Sequence, residues 1–456
     1  MKRHAEQYLK HWLFKINRKP LVIRGARQVG KSTTVRNFAK RNNLELVEIN
    51  LERHNNLNKI FKTNNIPEIC REIEFLTKKD LSSPKAKLLF LDEIQATPEA
   101  ISCLRYFYED LPELAVISAG SLLEFTLAKH NFSMPVGRIE YLHLGPMTFI
   151  EYLEAKGETK LVDLISTFSW DIPFPQTAHT QLCAYLRDFL IIGGMPEAVN
   201  NFIETNSFDN VIDIHLSIIE TYQDDFAKYA RQSQLATLQN VFQHTPQTVG
   251  NKVKYSNIDP TVQSREIKTA INLLAKAKVI SIVHHTSANG LPLKADINQK
   301  IYKLYFLDVG LMNTMCGTKY FSLETLQNSR FVNEGNVAEQ FIAQHLLYAG
   351  RPNSNPELFY WLREKSSSNA EIDFIIPWQD KIIPIEVKSG KSGTLKSLYQ
   401  FLSQKEVKQC LRFDLNIPSK QTIQEKRTDN SLIDSELISL PLYMVDYCNI
   451  NHKKNI

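Results

Sequence analysis

The stretch Gly25-Ala-Arg-Gln-Val-Gly-Lys-Ser32 constrains the fold of this chain more than any other. Its G-x-x-x-x-G-K-[ST] spacing is that of a P-loop, a turn that holds nucleotide phosphates. Each residue type has a physical reason. Glycine at positions 25 and 30 lets the backbone turn tightly, so that successive N–H groups face one anion. Lys31 is placed to reach the β- and γ-phosphates, and the Ser32 hydroxyl to ligate Mg²⁺. Such a loop must follow a strand and open a helix. Pro20–Arg24 is a short apolar run, and Thr33 to Lys40 sets Val35, Phe38 and Ala39 on one side of a helix.

A second feature fixes the partner of that loop. Lys87–Leu91 (KLLFL) is a continuous apolar run ending in Asp92-Glu93. This is a Walker B pattern, a buried parallel strand that delivers two carboxylates to its C-terminal edge. Asp92 is expected in the Mg²⁺ shell, and Glu93 is expected to orient and deprotonate the attacking water. Leu44–Leu51 alternates as a strand should, and Leu114–Ser118 (LAVIS) reads as another buried strand. Ser121, with Ser118 as second choice, is placed there to sense the γ-phosphate; a plain strand-end turn is the other reading. Arg138, in Pro135-Val-Gly-Arg138, is a candidate arginine finger in cis or on a neighbouring subunit, the latter requiring a homo-oligomer; a surface ion pair is the alternative. Residues 2–17 form an amphipathic pattern with Tyr8, Leu9, Trp12, Leu13 and Ile16 on one face, read chiefly as packing.

Composition enters at this point. A formal charge of +5 and a pI near 8.6 are compatible with a nucleic-acid partner without requiring one. The six cysteines form no C-x-x-C pair, which leaves zinc ribbons and thioredoxin-like chemistry unsupported and suits a reducing cytoplasm. The opening MKRHAEQYLKHWLFK is too polar for a signal peptide, and no apolar run has bilayer length.

Residues 145–235 read as helical. Leu182–Ile192 is followed by a break at Gly193-Gly-Met-Pro-Glu-Ala-Val199, and Val211–Tyr229 resumes the pattern, with Asp224 and Asp225 as exposed helix carboxylates. Leu235–Phe242, Ser256–Asp259 (with Ser256 as N-cap) and Ser264–Lys278 then read as three helices, and Val279–His285 and Ile301–Leu307 as two strands. Three helices and a hairpin compose a winged helix. Arg265, Lys268, Lys276 and Lys278 would meet DNA phosphates, and packing or protein contact is the equal alternative.

The C-terminal part holds a second constellation. Val332–Ala349 reads as a helix carrying Glu334 and Glu339, followed by strands over Leu358–Leu362, Ala370–Ile376 and Ile382–Gly390. Asp373 and then Glu386-x-Lys388 make a D…E-x-K arrangement, with alternation sending Glu386 and Lys388 to one face. The carboxylates of Asp373 and Glu386 can bind Mg²⁺, Glu339 can complete the acidic set, and Lys388 can position water for phosphodiester hydrolysis. Exposed charges on a hairpin are the plainer reading.

Taken together, RKPLVIRGARQVGKST, LLFLDEIQ, SAGS, VGR, LIIGGMPEAV, ETYQDDF, KLYFLDVGL, FVNEGNVAEQFI, EIDFII and IPIEVKSG resemble the bacterial and archaeal AAA-type ATPases with a C-terminal domain of uncharacterised function. That domain is itself similar to PD-(D/E)XK nucleases. The resemblance covers nearly the whole chain. It implies an ATP-binding P-loop of Gly25, Ala26, Arg27, Gln28, Val29, Gly30, Lys31, Ser32 and Thr33, Walker B residues Asp92 and Glu93, and a restriction-endonuclease-like fold holding Glu339, Asp373, Glu386 and Lys388. The expected fold class is α/β. Residues 1–144 form a P-loop core with a parallel sheet, 145–235 a helical lid or linker, 236–319 a winged helix and 320–456 a nuclease-like domain. ATP and Mg²⁺ are the expected cofactors, and DNA is a partner through the last two domains. The function expected is nucleotide-gated DNA processing or, alternatively, a signal-transducing ATPase switch.

Overall fold

The computed structural model describes residues 1–83, 86–129, 137–317, 335–363, 370–390, 395–426 and 432–448. The chain divides into two compact units. The first is Met1–Met147 with Lys276–Lys278 and Arg351–Asn355; the second is Thr148–Ala275, Val279–Gly350 and Pro356–Ile456. Among the described residues no helix is long and apolar enough to cross a membrane.

The first unit is built on a five-stranded sheet: β1 (Leu21–Arg24), β2 (Glu45–Asn50), β3 (Lys87–Asp92), β4 (Ala115–Ala119) and β5 (Glu140–His143), in the order β2-β3-β4-β1-β5. All neighbours pair in parallel. Parallel strands need both faces covered, and the sequence supplies that. Leu88 to Leu91 on β3 and Val116 and Ile117 on β4 are buried. The helices Ile66–Thr77 and Pro98–Asp110 lay Ile69, Ile73, Leu104 and Phe107 onto Val47, Leu89 and Leu91. Asn65 starts the first of them by accepting the Glu68 backbone N–H. The N-terminal helix is shorter than its pattern predicts. It spans Ala5–Leu13 and buries Leu9 and Trp12, but the chain turns at Phe14, so Ile16 leaves the helical period and is fully exposed.

The second unit opens with the helices Phe149–Lys156, Thr159–Ser166, Gln176–Ile192, Pro196–Thr205 and Phe208–Tyr229. The break at Gly193-Gly-Met-Pro is a junction. Gly193 has φ +67° and lies so close to Asp308 that a Cβ would come within 2.0 Å of Oδ1. Asp308 accepts the N–H groups of Gly194, Gly310 and Leu311 and a Gln344 amide hydrogen. One buried carboxylate thus ties a helix end at 192, a helix start at 309 and a third helix, Gly335–Leu346. Burial raises Asp308 to about 6, against the pull of those donors. Asp225, expected to be exposed, is buried; it pairs with Lys228 at 2.7 Å. Ser256 is not an N-cap: the short helix is Tyr255–Ile258, with Lys254 at the cap position.

The strands of this unit are β6 (Ile280–Thr286), β7 (Ile297–Phe306), β8 (Phe359–Leu362), β9 (Glu371–Trp378), β10 (Lys381–Val387), β11 (Gln409–Asp414), β12 (Ser419–Lys426) and β13 (Leu432–Pro441). They form one sheet in the order β12-β13-β11-β10-β9-β8-β6-β7. The β6–β7 hairpin read as a wing pairs in parallel with β8, through His284–Phe359 and His285–Tyr360. It therefore continues the C-terminal sheet.

Candidate functional site

The cradle is assembled where β1 hands over to the helix Lys31–Arg41. Gly30 has φ 87° and Gln28 φ 63°, so the left-handed turn that points N–H groups inward uses one glycine and one glutamine. A non-glycine residue there costs on the order of 1–3 kcal/mol, and nothing in the sequence pattern marked Gln28 for it. Gly25 is required for space instead: a Cβ would meet the Leu144 carbonyl oxygen at 2.2 Å. Ala26 and Val29 are buried, Arg27 and Gln28 half-buried, and Thr33 exposed.

Lys31 is buried, and its ammonium donates to the carbonyls of Gly25 (3.1 Å) and Ala26 (2.7 Å). Burial depresses it to about 8, although Glu93 and Asp92 pull the other way. Ser32 Oγ lies 3.0 Å from both carboxylate oxygens of Asp92. Burial raises Asp92, and the Ser32 hydroxyl opposes the shift. A hydroxyl beside a carboxylate is a hard-oxygen donor set, which fits Mg²⁺. Glu93 follows with φ 52°, and its Oε2 accepts from the Gln95 amide at 2.5 Å.

The sheet order puts β4 between β1 and β3. Ser118 is buried within β4 with no hydrogen-bond partner for its hydroxyl, and Ser121 is buried two residues beyond the strand. Arg138 is elsewhere. It precedes β5, which runs parallel to β1, so it lies at the N-terminal edge of the sheet while the cradle lies at the C-terminal edge. There it donates to Glu109 at 2.9 Å and covers the Tyr108 ring. A finger role in cis is thereby corrected, whereas the surface ion pair is present. Pro135 and Val136 of the same motif fall outside the described residues. A residue the sequence did not flag is Arg3. Its buried guanidinium donates to the Val29 carbonyl in the loop (2.9 Å) and to the Gly145 carbonyl (2.8 Å). A lone N-terminal arginine carries no motif that could have announced this.

In the second unit Asp373, Glu386 and Lys388 come together. Lys388 Nζ is 2.6 Å from Glu386 Oε2, as the strand alternation predicts. Asp373 accepts the Val387 N–H at 2.7 Å, across the β9–β10 pair. Burial, then Glu339 and Glu386, push Asp373 well above the carboxylate range. Burial also raises Glu386, which Lys388 offsets in part, and Glu386 Oε1 is buried without a hydrogen-bond partner. That orphaned oxygen beside Asp373 fits a hard cation in donor chemistry. Among the described residues, however, no group of three or more His, Cys, Asp or Glu side chains is gathered to hold a metal ion.

Glu339 is engaged by other side chains. Its Oε1 accepts from Lys303 at 2.9 Å and from the Tyr305 hydroxyl. Lys303 also pairs with Glu371 and lies over the Tyr360 ring. Burial opposes its charge, but Glu339, Glu371 and Asp373 outweigh that and hold the ammonium above the ordinary lysine range. Lys303, Tyr305 and Glu371 were not legible as site residues, since β7 is distant in sequence from β9. Glu334 lies outside the described residues. On the helix Ser264–Lys276, Arg265, Lys268 and Lys276 are exposed. Lys278 is beyond that helix, with φ 63° and a half-buried side chain near Asn355, so it does not share the basic face.

A family model described as an AAA domain matches residues 17–153. Two models described as domains of unknown function match residues 183–322 (DUF8612) and 334–443 (DUF4143). The comparison with curated proteins gives no match. Among solved structures, the Aeropyrum pernix ORC2 protein (ADPNP-ADP complexes) is 11% identical, with 68% of this chain and 92% of that chain covered and a TM-score of 0.33. The Thermotoga maritima RuvB Holliday junction branch migration motor is 13% identical over 62% of this chain and 89% of that one, at 0.27. C. elegans PCH-2 is 12% identical over 43% and 56%, at 0.26. With TM-scores this low the three overlaps stand as similarity only. Residues 17–153 thus match an AAA domain, and the parallel sheet with its cradle has the arrangement of a P-loop nucleotide-binding fold.

Proposed function

We propose that this protein binds and hydrolyses ATP at the cradle and uses the nucleotide state to govern DNA binding or processing by its C-terminal unit. The observation that carries the ATPase half is the meeting of Ser32 with Asp92 beside the buried ammonium of Lys31. Ser32 and Asp92 would hold Mg²⁺, which supplies positive charge to the phosphate oxygens when bound. Loop N–H groups and Lys31 bind the phosphates, Glu93 takes the proton of the attacking water, and Ser121 or Ser118 reports the γ-phosphate. Glu93→Gln should retain ATP binding and lose about 10²–10⁴-fold in kcat, the usual weight of a general base. Wild-type turnover by that variant would remove Glu93 from the role.

For the DNA half, support comes from Asp373 on β9, Glu386 on β10 and Lys388 just past the end of β10 standing together. Asp373 and Glu386 would hold a divalent cation, and Lys388 would orient water. The order helix Gly335–Leu346, β8, β9, β10, helix Lys396–Leu402, β11 is consistent with a restriction-endonuclease-like core. Plasmid, single-stranded and branched DNA with Mg²⁺ or Mn²⁺, with and without ATP, test it. A cut lost in Lys388→Ala supports the reading. The second reading, a switch whose C-terminal unit only binds a partner, is favoured by Lys303, a resident cation that already engages Glu339 and Glu371. Absence of cutting on every substrate, with partner binding intact, selects it. Arg138 acting on a neighbouring subunit would require a homo-oligomer, read out as ATP turnover per chain rising with protein concentration.

A further inference from the structure

Gln95 lies in the short 3-10 turn Ile94–Ala96 into which β3 runs. Its amide nitrogen donates to Glu93 Oε2 at 2.5 Å. Its amide oxygen is buried and has no hydrogen-bond partner. Beyond that oxygen lies Gly120, one residue past β4, where a Cβ would come within 2.1 Å of Gln95 Oε1. The amide therefore spans two strand ends, the one that delivers Glu93 and the one that leads to Ser121. A buried acceptor left unpaired costs roughly 1–3 kcal/mol. A turn that needed only filling would be more stable with an apolar side chain of similar size. The cost points to a use for the amide, and its one hydrogen bond goes to the carboxylate.

We propose that Gln95 is a positioning residue for ATP hydrolysis. It anchors one oxygen of Glu93, fixes the rotamer of that carboxylate, and holds it in register with the Gly120–Ser121 corner. Glu93 Oε1 is left to meet water. The need for glycine at 120 follows from the same arrangement, since any side chain there would drive the amide off its place. The inference rests on the reading of Glu93 as the base.

The test is ATPase kinetics of the full chain with Mg²⁺–ATP. Gln95→Ala should lower kcat about tenfold with KM within about twofold. Gly120→Ala, which retains the amide but displaces it, should do the same. Binding of a non-hydrolysable ATP analogue reports folding of each variant, and either one suffices. The decisive readout is a double-mutant comparison by single-turnover hydrolysis over hours. In a Glu93→Gln background, Gln95→Ala should cost less than about twofold, because the group it positions has gone. A merely structural role would cost the same tenfold in both backgrounds. Wild-type kcat in Gln95→Ala and Gly120→Ala, a rise in kcat, a loss confined to KM, or a full tenfold loss in the Glu93→Gln background would each overturn the proposal. The two readings separate cleanly. An inactive Glu93→Gln with a normal Gln95→Ala sinks only the role of Gln95, whereas a normal Glu93→Gln sinks the base itself.

Discussion

Two buried lysines, one in each unit, sit in opposite electrostatic settings. Lys31 is surrounded by carbonyl oxygens and held near 8, short of the negative charge that would compensate its burial. Lys303 touches Glu339 and Glu371 and is pushed up, its charge more than balanced. A buried lysine short of negative charge suits an incoming anion; a lysine in contact with two carboxylates already has its partners. The first unit is thus poised for a ligand, whereas the second carries an internal cation where acidic side chains gather.

Removing Lys303 should break the comparison most severely. Lys303→Met leaves the half-buried Glu339, Glu371 and Asp373 without their cation, and removing one buried partner of such a set costs up to about 3–5 kcal/mol, less here because Glu371 keeps part of its contact with water. Urea unfolding of the full chain, followed on the transition of the C-terminal unit, would read it. A loss below about 1 kcal/mol would mean the carboxylates never needed the lysine. Next in size, Asp308→Ala should destabilise the same unit by roughly 2–4 kcal/mol, because its four donors lose a buried acceptor.

The third prediction sharpens the Lys31 half. Below pH 8 the ammonium is already present and ATP affinity should be flat. Above it, binding must take up a proton to restore the charge, so affinity should fall about tenfold per pH unit. Fluorescent-nucleotide titrations from pH 6.5 to 9.5 would show the slope, and Lys31→Met should abolish it. A flat wild-type profile would place the titration elsewhere. The smallest effect is expected for Arg138→Ala. Its pair with Glu109 is exposed, so unfolding should shift by less than about 0.5 kcal/mol. At protein concentrations where the chain is monomeric, ATP turnover should not change.

The fold of the first unit was legible because its signals are local. Leu21–Arg24, the loop and Lys31–Arg41 are contiguous, and the apolar run to Asp92 needs only a parallel sheet to reach the same edge. Arg138 was misread in cis for a related reason. A parallel strand returns the chain to the far edge before it begins, and an arginine just ahead of β5 is left there. In the second unit the E-x-K pair was legible from strand alternation alone. Lys303 was not, since a lysine on β7 reaches Glu339 only after the sheet and the helix Gly335–Leu346 are assembled. The Asp308 junction was half visible, as a break at Gly193-Gly-Met-Pro; its cause lies more than a hundred residues on.

By itself, then, the sequence determined the glycine loop after β1, the carboxylates at the end of β3 and the pairing of Glu386 with Lys388. These depend on backbone turns and on strand periods that operate within a few residues. Tertiary structure decided the rest: which edge Arg138 occupies, that the β6–β7 hairpin extends the C-terminal sheet, and that Lys303 pairs with Glu339 and Glu371. Those outcomes depend on charges and strands far apart in the chain, whose interaction falls to nothing until folding brings them within a few ångströms in a medium of low dielectric.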